Sequence, residues 1–329
     1  DGIRDSVASR GLGDVYKRQI LHYLNQFFAG KGAEEAANLP FDIIEGPVGP
    51  GIPLNNLLGD SFNIEYTMTA GDNWASENIT EFENNIREQI KELKNRIQGI
   101  LDGSVSFPQL YKGETVDRSK AKGQLPSVKI VNLHRHDTTF AKILENIDVS
   151  CLAHDLMDGP VRLWEDQMIY KPAYDEKTAL AWHQDYTYWS HVSTADLATC
   201  WIALDDATVD NGCMHVVPGS HRWDVKYSRD DIDVTDSEWL LNRPDLPTKV
   251  TPVACEVPAG HCHFHHCRTF HGSYGNKTDN PRRSYVLHLM PGHIRRTGND
   301  WNDRMASVED VAVGEVIKGP NYPELPSPV

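Results

Sequence analysis

The chain has 329 residues, with 32 basic against 47 acidic side chains and a net charge of −15. That balance argues against nucleic acid or an anionic membrane as the main partner, since both reward a basic face. No apolar run approaches the roughly 20 residues that span a bilayer, and six cysteines without a CxxC pair make neither a disulfide framework nor a zinc ribbon. The chain reads as a cytoplasmic globular protein, with no nucleic acid, membrane or protein partner indicated.

Asp14-Val15-Tyr16-Lys17-Arg18-Gln19 resembles the translation of a transposase adapter. Residues 1–19 are therefore set aside as a non-native segment, and 20–329 is read as one domain. Its parts are a helical and mixed layer over 20–159, a β core over 160–292 and a C-terminal extension over 293–329. The Gly/Pro-rich stretch Gly46–Gly51 lacks a strand-to-helix context and reads as a connector. Phe62 to Thr69 alternates as a strand does.

Thr80 to Leu101 is the clearest helix. Phe82, Ile86, Ile90, Leu93, Ile97 and Leu101 recur every three or four residues as one apolar stripe. Thr80 with Glu83 makes a capping box, Gly103 a terminator, and Glu92 with Arg96 a solvent-facing i,i+4 pair. Shorter helices are expected at Thr138–Ile147 and, opened by a serine cap, at Ser150–Met157.

From Val161 the texture changes to short β-prone runs between turn residues, beginning with VRLWEDQMIYK and ending with RSYVLHLM. Asp210-Asn211-Gly212 is a strong hairpin signal. Strands at this spacing mean a sandwich or jelly roll, so the fold expected is mainly β with flanking α-helices.

Trp182-His183-Gln184-Asp185 is the sharpest chemical feature. Residues i and i+2 of a strand share a face, so His183 and Asp185 can aim an imidazole and a carboxylate at one point. A third ligand must come from another strand, and His271 in Phe270-His271-Gly272-Ser273 is the candidate. Two histidines and one carboxylate leave open metal positions, the arrangement of non-heme Fe(II) oxygenases. Arg282 starts the strand that follows, and its fork suits the far carboxylate of a dicarboxylate co-substrate.

These residues, together with Asn211-Gly212-Cys213 and Val217-Pro218-Gly219-Ser220-His221, resemble the phytanoyl-CoA dioxygenase family of Fe(II)/2-oxoglutarate oxygenases over about Pro160 to Gly292. The resemblance implies a double-stranded β-helix (jelly-roll, cupin-like) core with iron on His183, Asp185 and His271. It implies that Arg282 and Ser273 bind the distal 2-oxoglutarate carboxylate and that Trp201 lines the pocket, with Gln167 a further co-substrate candidate. It also implies a hydroxylase that consumes O2 and 2-oxoglutarate and acts on a small-molecule or acyl substrate. An intact Asp185 favours hydroxylation over the halogenation of relatives that carry a small residue there. The chain departs from the family pattern at Gly260-His261, where an acidic residue often follows the glycine.

Other residues read more plainly. His261, His263, His265 and His266 scatter over both strand faces and, with Cys262 and Cys267, show no zinc spacing. His215 and His221 read as structural, while Tyr186, Tyr188 and Trp189 divide evenly between core and substrate contact. Rival readings are an inactive ligand-binding member of the fold and a zinc hydrolase using the same three ligands.

Overall fold

The computed structural model describes residues 62–64, 76–107, 128–189, 191–225, 239, 243–244, 246, 250–298 and 310–327. The adapter-like segment, the Gly46–Gly51 connector and the second half of the strand expected at Phe62 to Thr69 lie outside them. Among the described residues ten strands form two sheets: β1 (Phe62–Ile64), β2 (Val128–Val131), β3 (Val161–Lys171), β4 (Leu180–His183), β5 (Ala198–Ala203), β6 (Met214–Val216), β7 (Val253–Cys255), β8 (Cys262–His266), β9 (His271–Ser273) and β10 (Arg282–Pro291). The larger sheet has the order β1-β8-β5-β10-β3-β2 and the smaller β4-β9-β6-β7. Every pairing is antiparallel. Each sheet takes strands from distant parts of the chain, which gives the jelly-roll architecture expected from the sequence.

Among the described residues three α-helices flank the larger sheet: α1 (Ser76–Asp102), α2 (Thr138–Ala141) and α3 (Ile147–Met157). The stripe on α1 buries Leu93, Ile97, Ile100 and Leu101 against Leu163, Met168, Ile202, Phe264, Tyr285 and Leu287. Each such side chain contributes about 1.5–3 kcal/mol when fully buried. The helix starts at Ser76, four residues before the expected cap, so Thr80 lies within it. It ends at Gly103, whose φ of 82° lets its N–H return to the Gly99 carbonyl at 3.1 Å. Arg96 does not complete a solvent pair with Glu92. It reaches Asp137, whose carboxylate also caps α2 by accepting from the Thr139 N–H at 2.9 Å. Ser150 opens no helix either, because α3 begins at Ile147 and the Ser150 hydroxyl donates to the Pro326 carbonyl.

The expected hairpin at Asp210-Asn211-Gly212 is a turn of a different kind. β5 and β6 belong to different sheets, so the chain crosses from one to the other there. Turn residues dictate a bend but not which strands pair across it. A Cβ on Gly212 would meet the Tyr274 carbonyl oxygen at 2.4 Å, and φ is +80°. Only glycine fits this crossover.

Alternation along the larger sheet decides what faces the interior. Outward go Asp166, Met168, Tyr285, Leu287, Cys200, Ile202 and Phe264, most of them into the core beneath α1. Inward go Glu165, Gln167, Lys171, Arg282, Val286, His288, Thr199, Trp201, His263 and His265, into the space between the sheets. The described part of the C-terminal extension packs on the opposite end, where Tyr322 stacks on Trp164 at 5.9 Å between ring centres. Among the described residues no helix is long and apolar enough to cross a membrane.

Candidate active site

His183 ends β4 and His271 opens β9, and the two are direct cross-strand neighbours. Their rings lie 4.3 Å apart. Asp185 does not continue the strand: it opens a single 3-10 turn, Asp185–Tyr188, which folds its carboxylate back toward both rings. Asp185 Oδ1 is 3.7 Å from His183 Nε2 and 3.5 Å from His271 Nε2. These three side chains form the one group among the described residues with the donor atoms to hold a metal ion, all within 4.8 Å of one another.

Local hydrogen bonds fix how each donor presents itself. His183 Nδ1 is 2.7 Å from the Ala181 carbonyl and His271 Nδ1 is 2.9 Å from the Thr269 carbonyl. A carbonyl only accepts, so both Nδ1 atoms carry the proton and both Nε2 lone pairs face the shared centre. Burial lowers the His183 pKa to about 3, keeping that imidazole neutral at pH 7. Burial also opposes charge on His271, but contact with Asp185 pulls its pKa above the ordinary histidine value. A divalent cation at the centre would take the place of that proton. The donor set and its tautomers fit Fe(II).

Behind Asp185 runs a directed chain. Thr199 Oγ1 donates to Asp185 Oδ2 at 2.8 Å. Its one proton being spent, it accepts from His288 Nδ1, also at 2.8 Å. His288 Nε2 then faces Glu165 Oε1 at 3.8 Å. Burial raises the Glu165 pKa to about 7. His265 Nε2 approaches the same Asp185 Oδ2 at 3.4 Å. None of Thr199, His288 or Glu165 was singled out in the sequence, although their place on inward positions of long strands is the signal that carries them.

The other end of the interior is cationic. Arg282 is 2 % exposed, donates to Ser284 Oγ at 3.2 Å, and holds its guanidinium 5.2 Å from the centre of the Trp201 ring. Lys171 sits directly opposite it on β3 and is fully buried. Its Nζ donates to Ser273 Oγ at 2.8 Å and to the Tyr274 carbonyl. Ser273 thus belongs to this cluster through Lys171, a residue the sequence reading passed over. Burial, with Arg282 adding to it, lowers the Lys171 pKa to about 6, while Arg282 falls to about 10 and stays charged. Gln167, inward between the two ends, donates to Glu165 Oε1 at 2.6 Å.

The aromatic residues after Asp185 separate. Trp189 is buried core against Trp164, whereas Tyr188 lies edge-on to His183 at 5.8 Å. His215 packs edge-on against Tyr274 and His221 lies 5.4 Å from His266, both away from the triad.

Known proteins match this chain in sequence and in fold. The family model described as phytanoyl-CoA dioxygenase (PhyH) matches residues 84–284. The chain belongs to that family. A second model, glycine/sarcosine/betaine reductase selenoprotein B, matches residues 17–100 and overlaps the first within α1. Over 63 residues the chain is 49 % identical to the glycine reductase complex component B subunit gamma of Symbiobacterium thermophilum, covering 19 % of this chain and 15 % of that one. It is 24 % identical over 205 residues to a probable alpha-ketoglutarate-dependent hypophosphite dioxygenase of Stutzerimonas stutzeri, covering 61 % of this chain and 70 % of that one. The epimerase SnoN, solved with Fe3+, alpha ketoglutarate and nogalamycin RO, shares the fold at a TM-score of 0.57 and 23 % identity, over 73 % of this chain and 90 % of that one. The chain thus spans less than a fifth of its reductase relatives and over two thirds of the dioxygenase.

Proposed function

We propose that the protein is an Fe(II)- and 2-oxoglutarate-dependent dioxygenase that hydroxylates a C–H bond of a small molecule or acyl substrate. The balance is substrate C–H plus 2-oxoglutarate plus O2, giving substrate C–OH, succinate and CO2. The observation that carries the reading is the pairing of two features across one buried space. One is an open donor triad of His183, Asp185 and His271; the other is a buried cationic end, Arg282 with Lys171, that has no carboxylate partner among the described residues. A buried guanidinium without a counter-charge is costly, and a dicarboxylate chelated at the triad would bring the missing charge and favour return of the proton to Lys171.

Iron held at the triad would supply the oxidising chemistry that decarboxylates the co-substrate and oxidises the C–H bond. The chain's residues do the rest. Ala181 and Thr269 carbonyls hold the two imidazoles in the ligating tautomer, and Thr199 orients the carboxylate from behind. Arg282 and Lys171 bind the distal carboxylate, Ser273 positions the Lys171 ammonium, and Trp201 walls the pocket beneath the guanidinium. Gln167 offers a side-chain amide along the way. Burial of the whole set keeps bulk water from the reacting centre.

A zinc hydrolase would use the same triad but would have no need for the cationic end. Assay of the protein for succinate formation separates the readings. Fe(II)- and O2-dependent succinate that vanishes in His183→Ala supports the oxygenase. Ligand binding with no succinate points to an inactive member of the fold.

A further inference from the structure

The inner face of the larger sheet is ordered in rows set by strand register. Glu165, His288, Thr199 and His265 form the row that touches Asp185. Lys171 and Arg282 form the cationic row at the far end, and the Arg282 guanidinium leans back over Trp201. Between them lies the row Gln167, Val286, Trp201 and His263, each paired with the next across a strand boundary. Anything that stretches from the triad to Arg282 passes over this row.

His263 is the unexplained member. It is fully buried, and neither ring nitrogen has a hydrogen-bond partner among the described residues. Its ring stacks on Trp201 at 5.2 Å and 14° and lies 5.7 Å from the ring of His265, which is itself 4.5 Å from His271. Stacking accounts for the ring but leaves both nitrogens unsatisfied, and buried polar atoms are rarely left so. An apolar side chain would stack as well without that cost. The nitrogens therefore point to a partner beyond the described residues.

We propose that His263 is a co-substrate-binding residue: one imidazole nitrogen donates a hydrogen bond to a 2-oxoglutarate carboxylate held between the triad and Arg282. This inference rests on the oxygenase reading. It adds a contact from β8, on the Trp201 side of the pocket, opposite the amide of Gln167 on β3. The dicarboxylate is then gripped from both flanks as well as from its ends, so the row selects for an acceptor-rich ligand along its length.

Calorimetric titration of the Mn(II)-loaded protein with 2-oxoglutarate tests it without turnover. His263→Phe keeps the stack and removes both nitrogens, while His263→Gln restores a donor. The expected result is a dissociation constant raised at least about tenfold in His263→Phe, recovered in part in His263→Gln, with Mn(II) affinity unchanged in both. If the phenylalanine does not pack, His263→Met gives the same comparison, since its flexible side chain adapts to the space. Wild-type 2-oxoglutarate affinity in a folded, Mn(II)-loaded variant without the nitrogens would overturn the role of His263 and leave the oxygenase reading standing. Failure of the unaltered protein to bind 2-oxoglutarate would instead overturn the oxygenase reading, and this inference with it.

Discussion

Lys171 and Arg282 stand opposite each other across β3 and β10, a buried amine beside a buried guanidinium with hydroxyl and carbonyl oxygens for company. Like charges at this depth repel and lose hydration together, so the arrangement is stable only if one gives up its proton or an anion joins them. Lysine is the one that yields, because a guanidinium holds its proton far more strongly.

That asymmetry sets a pH dependence. Burial and Arg282 lower the Lys171 pKa from 10.5 to about 6. Between those limits the unfolded chain binds a proton that the folded chain lacks. Stability therefore rises with pH through that window and is lost as pH falls toward 6, by up to about 1.4 kcal/mol per pH unit. Chemical denaturation at pH 6.5 and 8.5 should show about 2 kcal/mol more gain in the unaltered protein than in Lys171→Met. Equal gains would mean that Lys171 is charged in the free protein.

Arg282→Ala removes the cation that stays charged at neutral pH. It should raise the 2-oxoglutarate concentration needed for half-maximal succinate formation by roughly a hundredfold, the scale of a lost charged hydrogen bond or two. Iron affinity should be retained, because Arg282 does not touch the triad. Steady-state kinetics with iron analysis reads both, and a lost iron site with an unchanged co-substrate requirement would contradict the assignment.

Gly212→Ala tests the crossover between the sheets. The added methyl meets the Tyr274 carbonyl, and Lys171 Nζ lies 3.1 Å from it. A loss of about 1–3 kcal/mol is expected from the positive φ alone, together with weaker 2-oxoglutarate binding as Lys171 is displaced. A variant as stable as the parent would show that the turn relaxes freely.

Ile97→Ala asks whether α1 belongs to the oxygenase core, since the two family matches overlap within this helix. Ile97 is fully buried beneath the larger sheet. Truncation should cost about 2–5 kcal/mol in urea unfolding. A change below about 0.5 kcal/mol, typical of a surface position, would place the helix off the core.

The triad was legible because its chemistry is written in residue type and close spacing, and Arg282 because it heads a long β-prone run. The 3-10 turn at Asp185 was not, since period-two alternation reads the same until the backbone leaves the strand. Lys171 was overlooked at the end of a strand that otherwise looked like core. Its parity with Gln167 places it on the same inward face, and that was the available signal. His263 and His265 were dismissed with their less buried histidine neighbours, although they too share one face of β8. The sheet crossover at Gly212 could not be read at all, because which strands pair depends on contacts far apart in sequence.

The most direct test is an anaerobic titration of the Fe(II)-loaded protein with 2-oxoglutarate, followed by visible absorbance. The account predicts a weak charge-transfer band that saturates with co-substrate, is absent in His183→Ala, and needs far more co-substrate in Arg282→Ala. A folded, iron-loaded protein that shows no band at any 2-oxoglutarate concentration would contradict it.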